Sequence, residues 1–147
     1  MLVEVRSVIG VLIVTHYRMA EEFLQALQLI VGELGHFQAI GLDPSSPPET
    51  MRMRIAKAMR EADTGGGVLM LVDMFGGTPS NLCLSFLDDS RVEVVTGVNL
   101  PMLVKVARAD GNLCLKEVAE LAQEYGRRNI SIASDVLEGR KRSEEGS

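Results

Sequence analysis

Apolar and polar residues are grouped along the chain in blocks that predict strands and helices in turn. Residues 8–14 are apolar without strict alternation and rich in β-branched side chains, which is typical of a parallel strand covered on both faces. From Tyr17 the apolar positions recur every three or four residues, which predicts a helix that stops at Gly32 and Gly35. The same criteria predict four more strands, at residues 37–42, 68–72, 92–96 and 130–133.

Further helices are predicted between the later strands. The proline-rich stretch 43–48 excludes both a helix and an inner strand, and a helix with apolar residues at every third or fourth position follows it. Thr78 fits an N-cap and Pro79 the first position of another helix, which should run to about Leu87. The last two helices are predicted after the turn at residues 97–101 and from about residue 115 to 125.

This order of elements predicts an α/β fold. Strands alternate with helices, and each crossover is long enough for a right-handed βαβ unit. We expect a three-layer sandwich with a mainly parallel sheet in the flavodoxin-like order 2-1-3-4, together with a short terminal edge strand. We also expect a single domain over residues 1–137 and a polar, disordered tail over residues 138–147.

Composition narrows the class of protein. The chain has 147 residues, of which 46% are hydrophobic and 24% charged, so it is long enough and apolar enough to bury a core. A formal net charge of -5 argues against nucleic-acid binding, which draws on clustered lysine and arginine. We predict no nucleic-acid partner, no metal and no cofactor.

The cysteines and the first residues bear on location. Cys83 and Cys114 both lie in apolar surroundings without a CxxC motif, which predicts buried, reduced thiols of a cytoplasmic protein and no disulfide or metal site. Glu4 and Arg6 precede a short apolar run without a small-residue cleavage site, so the segment is not typical of a signal peptide. The run is also too short to span a membrane.

Titratable residues follow two of the predicted strands. His16 comes at the end of the first strand and Asp73 directly after the third. In open parallel sheets, ligands bind beyond the carboxyl ends of the strands, where the strand order reverses. In the order 2-1-3-4 these two strands are neighbours, so we expect the two side chains to share one crevice and to hydrogen-bond.

Such a pair suits a phosphoryl group carried on histidine. A carboxylate that accepts the N–H of one ring nitrogen fixes the tautomer and leaves the other nitrogen as a nucleophile. Gly76 and Gly77 permit a ligand to approach closely, and the N–H groups around Thr78 open a helix whose positive end favours an anion. We therefore predict His16 and Asp73 as catalytic residues and the Gly76-Gly77-Thr78 turn as the phosphoryl-binding loop.

Each of these signals also has a purely structural explanation. A histidine at a strand end is usually a satisfied polar residue, an aspartate there often caps a turn, and Gly-Gly-Thr-Pro is a common start of a helix. Their convergence on one sheet edge favours the functional hypothesis. His36 lies at the opposite edge and is expected to be structural, while Met19 and Met74 suit either core packing or a docking surface beside the crevice.

Three stretches resemble the mannose-type enzyme IIA family of the phosphoenolpyruvate-dependent sugar phosphotransferase system. They read VTHYRMA at 14–20, VLMLVDMFGGTPSN at 68–81 and TGVNLPM at 96–102, and the likeness runs in order from about residue 8 to 133. The family implies a phosphohistidine carrier, a phosphotransferase component that accepts a phosphoryl group from phospho-HPr and passes it to a histidine of a IIB protein.

The resemblance assigns roles to residues of this chain. It implies that His16 is the phosphoryl acceptor, that Asp73 orients its ring, and that Thr78 is the small hydroxyl residue of the family's glycine turn. It also implies a homodimer in which the terminal strand, residues 130–133, pairs with the partner's sheet. No IIB-like segment follows residue 133, so the acceptor is expected on another chain, and contact with the membrane is expected only indirectly, through a permease complex.

The sequence departs from the family directly after the histidine. The family commonly has Gly or Ser there, whereas this chain has Tyr17 followed by Arg18. A bulky Tyr17 could narrow access to His16, and Arg18 could add a contact to the phosphoryl oxygens. Phe75 keeps the aromatic residue that is usual at its position.

Two other functions remain open at this point. One is a flavodoxin-like regulatory module that binds a small anion or nucleotide without covalent chemistry. The other is the phosphocarrier of dihydroxyacetone kinase systems, whose IIA part is distantly similar. The sequence names no sugar, and it leaves open both sugar transport and a regulatory role.

Overall fold

The computed structural model describes residues 8–145, with side chains up to residue 140. Glu4 and Arg6 lie outside the described residues, as do the last two residues of the predicted tail. Strands and helices alternate up to the fourth strand, and three helices follow. The elements are β1 (Gly10–His16), α1 (Met19–Val31), β2 (Phe37–Leu42), α2 (Pro48–Ala62), β3 (Val68–Val72), α3 (Thr78–Leu84), β4 (Val92–Thr96), α4 (Leu100–Ala107), α5 (Leu115–Arg128) and α6 (Ala133–Glu145).

The four strands form one parallel sheet in the order β2-β1-β3-β4, which confirms the predicted α/β fold and strand order. The register pairs His16 with Leu42 and Val14 with Val72. Val72 pairs in turn with Thr96. The carboxyl ends of all four strands therefore lie along the same edge of the sheet, and β1 is one of its two inner strands.

The core fills both faces of this sheet. On one face Val11 and Ile13 pack in a cluster with Leu27 of α1, and on the other Leu12 and Val14 belong to a cluster with Ile55 of α2. Successive side chains of a strand point to opposite faces, so a strand covered on both sides has no polar face to alternate with. Burial of each large apolar side chain contributes about 1.5–3 kcal/mol.

Helix α3 is shorter than predicted and begins one residue earlier. Gly77 is its N-cap and Thr78 its first helical residue, so the prediction of Thr78 as the N-cap is wrong. The helix ends at Leu84 and not near Leu87, because the chain tightens there into turns closed by hydrogen bonds to the third residue back. One of them joins the Phe86 N–H to the Cys83 carbonyl oxygen over 3.0 Å.

The C-terminal segment also differs from the prediction. Residues 130–132 have no regular secondary structure and Ala133 begins α6, so within this chain the predicted strand at residues 130–133 is wrong. A strand needs a neighbour for its N–H and C=O groups, and in the described chain this segment pairs with none. Residues 138–145, predicted as a disordered tail, instead belong to α6, and they are rich in Glu, Arg and Lys, which favour helix.

Only one of the two cysteines is buried. Cys83 lies inside the cluster beneath β1 and β3, as predicted, whereas Cys114 is exposed. Cys114 occupies the N-cap of α5, where its N–H donates to Glu117 Oε1 over 3.1 Å. Its apolar neighbours in sequence did not indicate burial because the chain turns into a helix at this residue.

Candidate functional site

His16 and Asp73 meet at the carboxyl edge of the sheet, as predicted. The ring nitrogen Nδ1 of His16 lies 2.7 Å from Asp73 Oδ2. The backbone N–H of His16 donates to the same oxygen over 2.9 Å. One carboxylate oxygen therefore fixes both the main chain and the ring of the histidine.

Asp73 is held as a carboxylate. Its side chain is only 9% exposed, and this burial alone would raise its pKa. The hydrogen bonds from the backbone and ring of His16, and from the Met74 N–H to Oδ1 over 2.9 Å, outweigh the burial and lower the pKa of Asp73 below its usual range.

The ionisation of Asp73 determines the tautomer of His16. A carboxylate accepts hydrogen bonds but cannot donate them, so the proton of the neutral imidazole lies on Nδ1. Nε2 then carries the free lone pair. Because the His16 side chain is 49% exposed, a reactant from solvent can reach the ring.

The glycine turn lies against this ring. Gly77 has a φ of +121°, a conformation that is costly for any residue with a side chain. A Cβ atom at Gly77 would lie 3.2 Å from Nε2 and 3.1 Å from Cε1 of His16. Gly76 also has a positive φ, +82°, but a Cβ there would meet no atom within 4 Å. The turn thus brings backbone, and no side chain, next to Nε2 of the His16 ring.

Thr78 follows as the exposed first residue of α3. The first bond of the helix runs from the Asn81 N–H to the Gly77 carbonyl oxygen over 2.9 Å. The Thr78 N–H is one of the donors that a helix start leaves without an intrahelical partner. Of the predicted loop residues, Gly77 is the one that the structure places beside the imidazole.

Thr15 is a positioning residue that the sequence analysis missed. Its side chain is fully buried, and Oγ1 accepts a hydrogen bond from the Ala20 N–H over 2.7 Å. The start of a helix leaves several backbone N–H groups without an intrahelical acceptor, and Thr15 provides one for α1. The bond also ties the start of that helix to the end of β1. The sequence signal that could have predicted this role was a threonine shortly before the start of a helix.

Tyr17 was expected to affect access, but its backbone conformation was not foreseen. Its φ is +51°, the only positive value at a non-glycine residue among those described. The turn is held by a hydrogen bond from the Tyr17 N–H to the Leu42 carbonyl oxygen over 2.8 Å. A Cβ at Gly41 would collide with the Tyr17 carbonyl oxygen, so the neighbouring strand must have glycine there.

Apolar side chains near the histidine in sequence are exposed. Met19 and Met74 are 48% and 55% exposed, so core packing, the simpler of their two explanations, is wrong. Tyr17 and Phe75 are exposed as well. These four residues border His16 and Asp73 along the chain, and we call them the apolar rim.

His36 lies at the amino end of the sheet, away from this site. Its carbonyl oxygen accepts the Val11 N–H over 2.9 Å, and its ring meets the Phe37 ring edge-on at 4.8 Å between centroids. Burial lowers the pKa of His36. Within residues 8–140, whose side chains the structure describes, no three potential ligand side chains gather as a metal site, and no described helix is both long and apolar enough to cross a membrane.

Comparison with known proteins gives consistent matches over most of the chain. The family model EIIA-man, described as the PTS system fructose IIA component, matches residues 10–123. The chain is 35% identical over 124 residues to the PTS system mannose-specific EIIAB component of Escherichia coli K12, covering 83% of this chain and 38% of that protein. It is 31% identical over 111 residues to the PTS system fructose-specific EIIA component of Bacillus subtilis, covering 75% and 76%.

Solved structures agree with the sequence comparisons. The mannose/sorbose specific IIA subunit of the phosphotransferase system from Enterococcus faecalis superposes with a TM-score of 0.76 at 28% identity, covering 85% of this chain and 94% of that one. The chain spans little more than a third of the length of the Escherichia coli EIIAB protein, but most of the length of these separate IIA proteins.

Proposed function

Because the chain belongs to the mannose-type enzyme IIA family of the sugar phosphotransferase system, we propose that it is a phosphocarrier that accepts a phosphoryl group from phospho-HPr on His16 and passes it to a histidine of a IIB protein. The observation that carries the proposal is the 2.7 Å contact between Nδ1 and Asp73, which leaves Nε2 as the nucleophile beside Gly77.

The transfer balances without an additional reactant. The Nε2 lone pair forms a bond to phosphorus while the N–P bond of the donor phosphohistidine breaks, and that electron pair returns to the donor ring. The His16 ring gains positive charge as its bond forms, and the Asp73 carboxylate stabilises it through the Nδ1 proton. In the second transfer His16 is the donor: the IIB histidine forms a bond to phosphorus while the N–P bond to His16 breaks.

The glycine turn is proposed to bind the phosphoryl oxygens. Backbone N–H groups at Gly76, Gly77 and Thr78 would stabilise the charge that spreads over these oxygens during transfer. The proposal is supported by the position of Gly77 against the ring and by the open space around Gly76.

We also propose a homodimer in which residues 130–132 pair with the partner's β4. Ile130 and Ile132 are 77% and 67% exposed, and a partner strand would cover these two apolar side chains. β4 is an edge strand, and a groove lined by residues of β4 and α5 runs beside it. Light scattering on the intact chain tests this, and a monomer at micromolar concentration would contradict it.

Phosphoryl labelling tests the carrier function. Incubation with phosphoenolpyruvate, enzyme I and HPr should give an acid-labile, base-stable phosphate on the wild-type chain. His16→Ala should abolish the label, and His36→Ala is the matched control because the chain has only these two histidines. Label retained in His16→Ala would exclude His16 as the acceptor, and no label on the wild type would favour the anion-binding module.

The proposed phosphocarrier function implies a cellular location. We propose a cytoplasmic protein that reaches the membrane only through a permease complex, and the free state of Cys83 and Cys114 suits a reducing compartment. The sugar is not assigned, because the named specificities belong to the relatives.

A further inference from the structure

We propose that Arg18, supported by the Tyr17 ring, binds the oxygens of the phosphoryl group on His16. This makes Arg18 a further catalytic residue of the transfer, and the inference rests on the proposed phosphocarrier function.

The charge of Arg18 is not balanced within the part of the chain that the structure describes. No carboxylate of residues 8–140, whose side chains the structure describes, forms an ion pair with its guanidinium within 4.0 Å. The residue also occupies the N-cap of α1, where the helix dipole is positive and disfavours a cation. The first turn of α1 has two carboxylates: Glu21 Oε1 accepts the Gly41 N–H over 2.8 Å, and neither Glu21 nor Glu22 forms an ion pair with Arg18. An uncompensated cation at this place favours an anion that arrives from outside.

Tyr17 restrains the guanidinium without neutralising it. The Arg18 guanidinium carbon lies 5.2 Å from the centre of the Tyr17 ring, and Nη2 donates to the Tyr17 hydroxyl oxygen over 3.2 Å. A guanidinium has five N–H donors in a planar fork, so this contact leaves most of them for another acceptor. The fork matches the oxygens of a phosphoryl group, which a lysine ammonium does not.

The backbone places this pair next to the reacting atom. The Cα atom of Arg18 lies within about 7.6 Å of that of His16, since two peptide units separate them, and this is within reach of an extended arginine side chain. Tyr17 adopts its left-handed conformation although a residue with a side chain pays about 1–2 kcal/mol for it. Retained strain beside a nucleophile is typical of functional positions.

The chemistry of the transfer agrees with an arginine at this position. Negative charge spreads over the three equatorial oxygens of the phosphoryl group as it moves between nitrogens, and a fixed cation stabilises that distribution. Arg18 forms no covalent bond and exchanges no proton in the step. It donates hydrogen bonds to the phosphoryl oxygens, and these bonds break when the IIB histidine accepts the group.

Single-turnover transfer and ³¹P NMR together test this role. Arg18→Ala should slow transfer from phospho-HPr by about 10- to 100-fold, the effect of losing a hydrogen bond from a charged donor. In the isolated phosphorylated protein, the phosphohistidine resonance should titrate at a higher pH in Arg18→Ala than in the wild type, because a nearby cation favours the more negative form. Arg18→Lys, which keeps the charge but lacks the fork, should give intermediate values for both.

A matched control separates this role from general charge effects. Arg108→Ala removes the same charge at an exposed residue at the far end of α4 and should match the wild type in both measurements. Wild-type transfer by Arg18→Ala would overturn the proposal. Slower transfer with an unchanged ³¹P titration would also overturn it, because Arg18 would then act only on partner docking. Label retained in His16→Ala would instead show that the underlying function has failed.

Discussion

The contact between Gly77 and the imidazole gives the most direct test of the site. Gly77→Ala places a methyl group 3.2 Å from His16 Nε2, the nitrogen that would bond to phosphorus under the proposed function. The ring cannot turn aside freely, because its Nδ1 hydrogen bond to Asp73 is only 2.7 Å long. The substitution therefore acts on the nucleophile itself, although residue 77 carries no reactive group.

Gly77→Ala should lower both the stability of the protein and the rate of phosphoryl transfer. The φ of +121° at residue 77 is a region that alanine rarely enters, so we expect a loss of about 1–3 kcal/mol in the free energy of unfolding. To clear the methyl group the ring must shift by a few tenths of an ångström, which weakens its bond to Asp73, and a charge-assisted hydrogen bond is worth about 1.5–3 kcal/mol. Transfer should then slow by about 10- to 100-fold, since each 1.36 kcal/mol is a factor of ten in rate.

Gly76→Ala is the matched control for this prediction. Its φ is also positive, at +82°, so it should lose stability for the same reason, but a Cβ there meets nothing within 4 Å. Single-turnover transfer from phospho-HPr, measured on both variants well below their melting temperatures, separates strain from obstruction. If Gly77→Ala transferred as fast as Gly76→Ala, the geometry described for Nε2 would be irrelevant to the reaction.

Three further predictions concern other parts of the structure. Asp73→Asn should slow single-turnover transfer at least about tenfold while circular dichroism stays native, since an amide cannot accept every hydrogen bond that the carboxylate accepts; an unchanged rate would remove Asp73 from the mechanism. Arg91 donates to both oxygens of Asp63 and holds the pKa of that carboxyl well below its usual range, so the pair stabilises the fold above about pH 4 and this contribution is lost as the pH falls. Arg91→Ala should accordingly move the acid-unfolding midpoint to higher pH, and a midpoint equal to that of the wild type would contradict this. Burial raises the pKa of Cys83 to about 12, so a thiol reagent at pH 8 should modify Cys114 alone in the native protein, and rapid modification of two thiols would show that Cys83 is accessible.

The sheet and the contact between His16 and Asp73 could be predicted because both depend on local patterns and one topological rule. Apolar blocks with turn residues between them define the strands, and the order 2-1-3-4 makes the first and third neighbours. Once that order is assumed, His16 and Asp73 must meet at one edge, and the structure places them 2.7 Å apart. No knowledge of side-chain packing was needed for this step.

The features that escaped prediction depend on contacts between distant segments. The left-handed turn at Tyr17 is held by Leu42 and requires glycine at residue 41, and neither condition can be seen in the residues around Tyr17. The strand predicted at residues 130–133 depends on a neighbouring edge that the chain itself does not offer, so its local pattern could not decide its structure. The exposure of Cys114 follows from where a helix starts.

The shared oxygen of Asp73 has a consequence for conformational entropy. A half-exposed histidine would ordinarily sample several rotamers, and ordering it at the moment of reaction would add to the barrier. Here the backbone N–H and the ring N–H of His16 bind the same atom, so the rotamer is selected when the sheet forms. Both the donor and the acceptor protein would then meet an imidazole with the same orientation. In each of the two transfers, only the incoming partner would have to adopt the correct alignment.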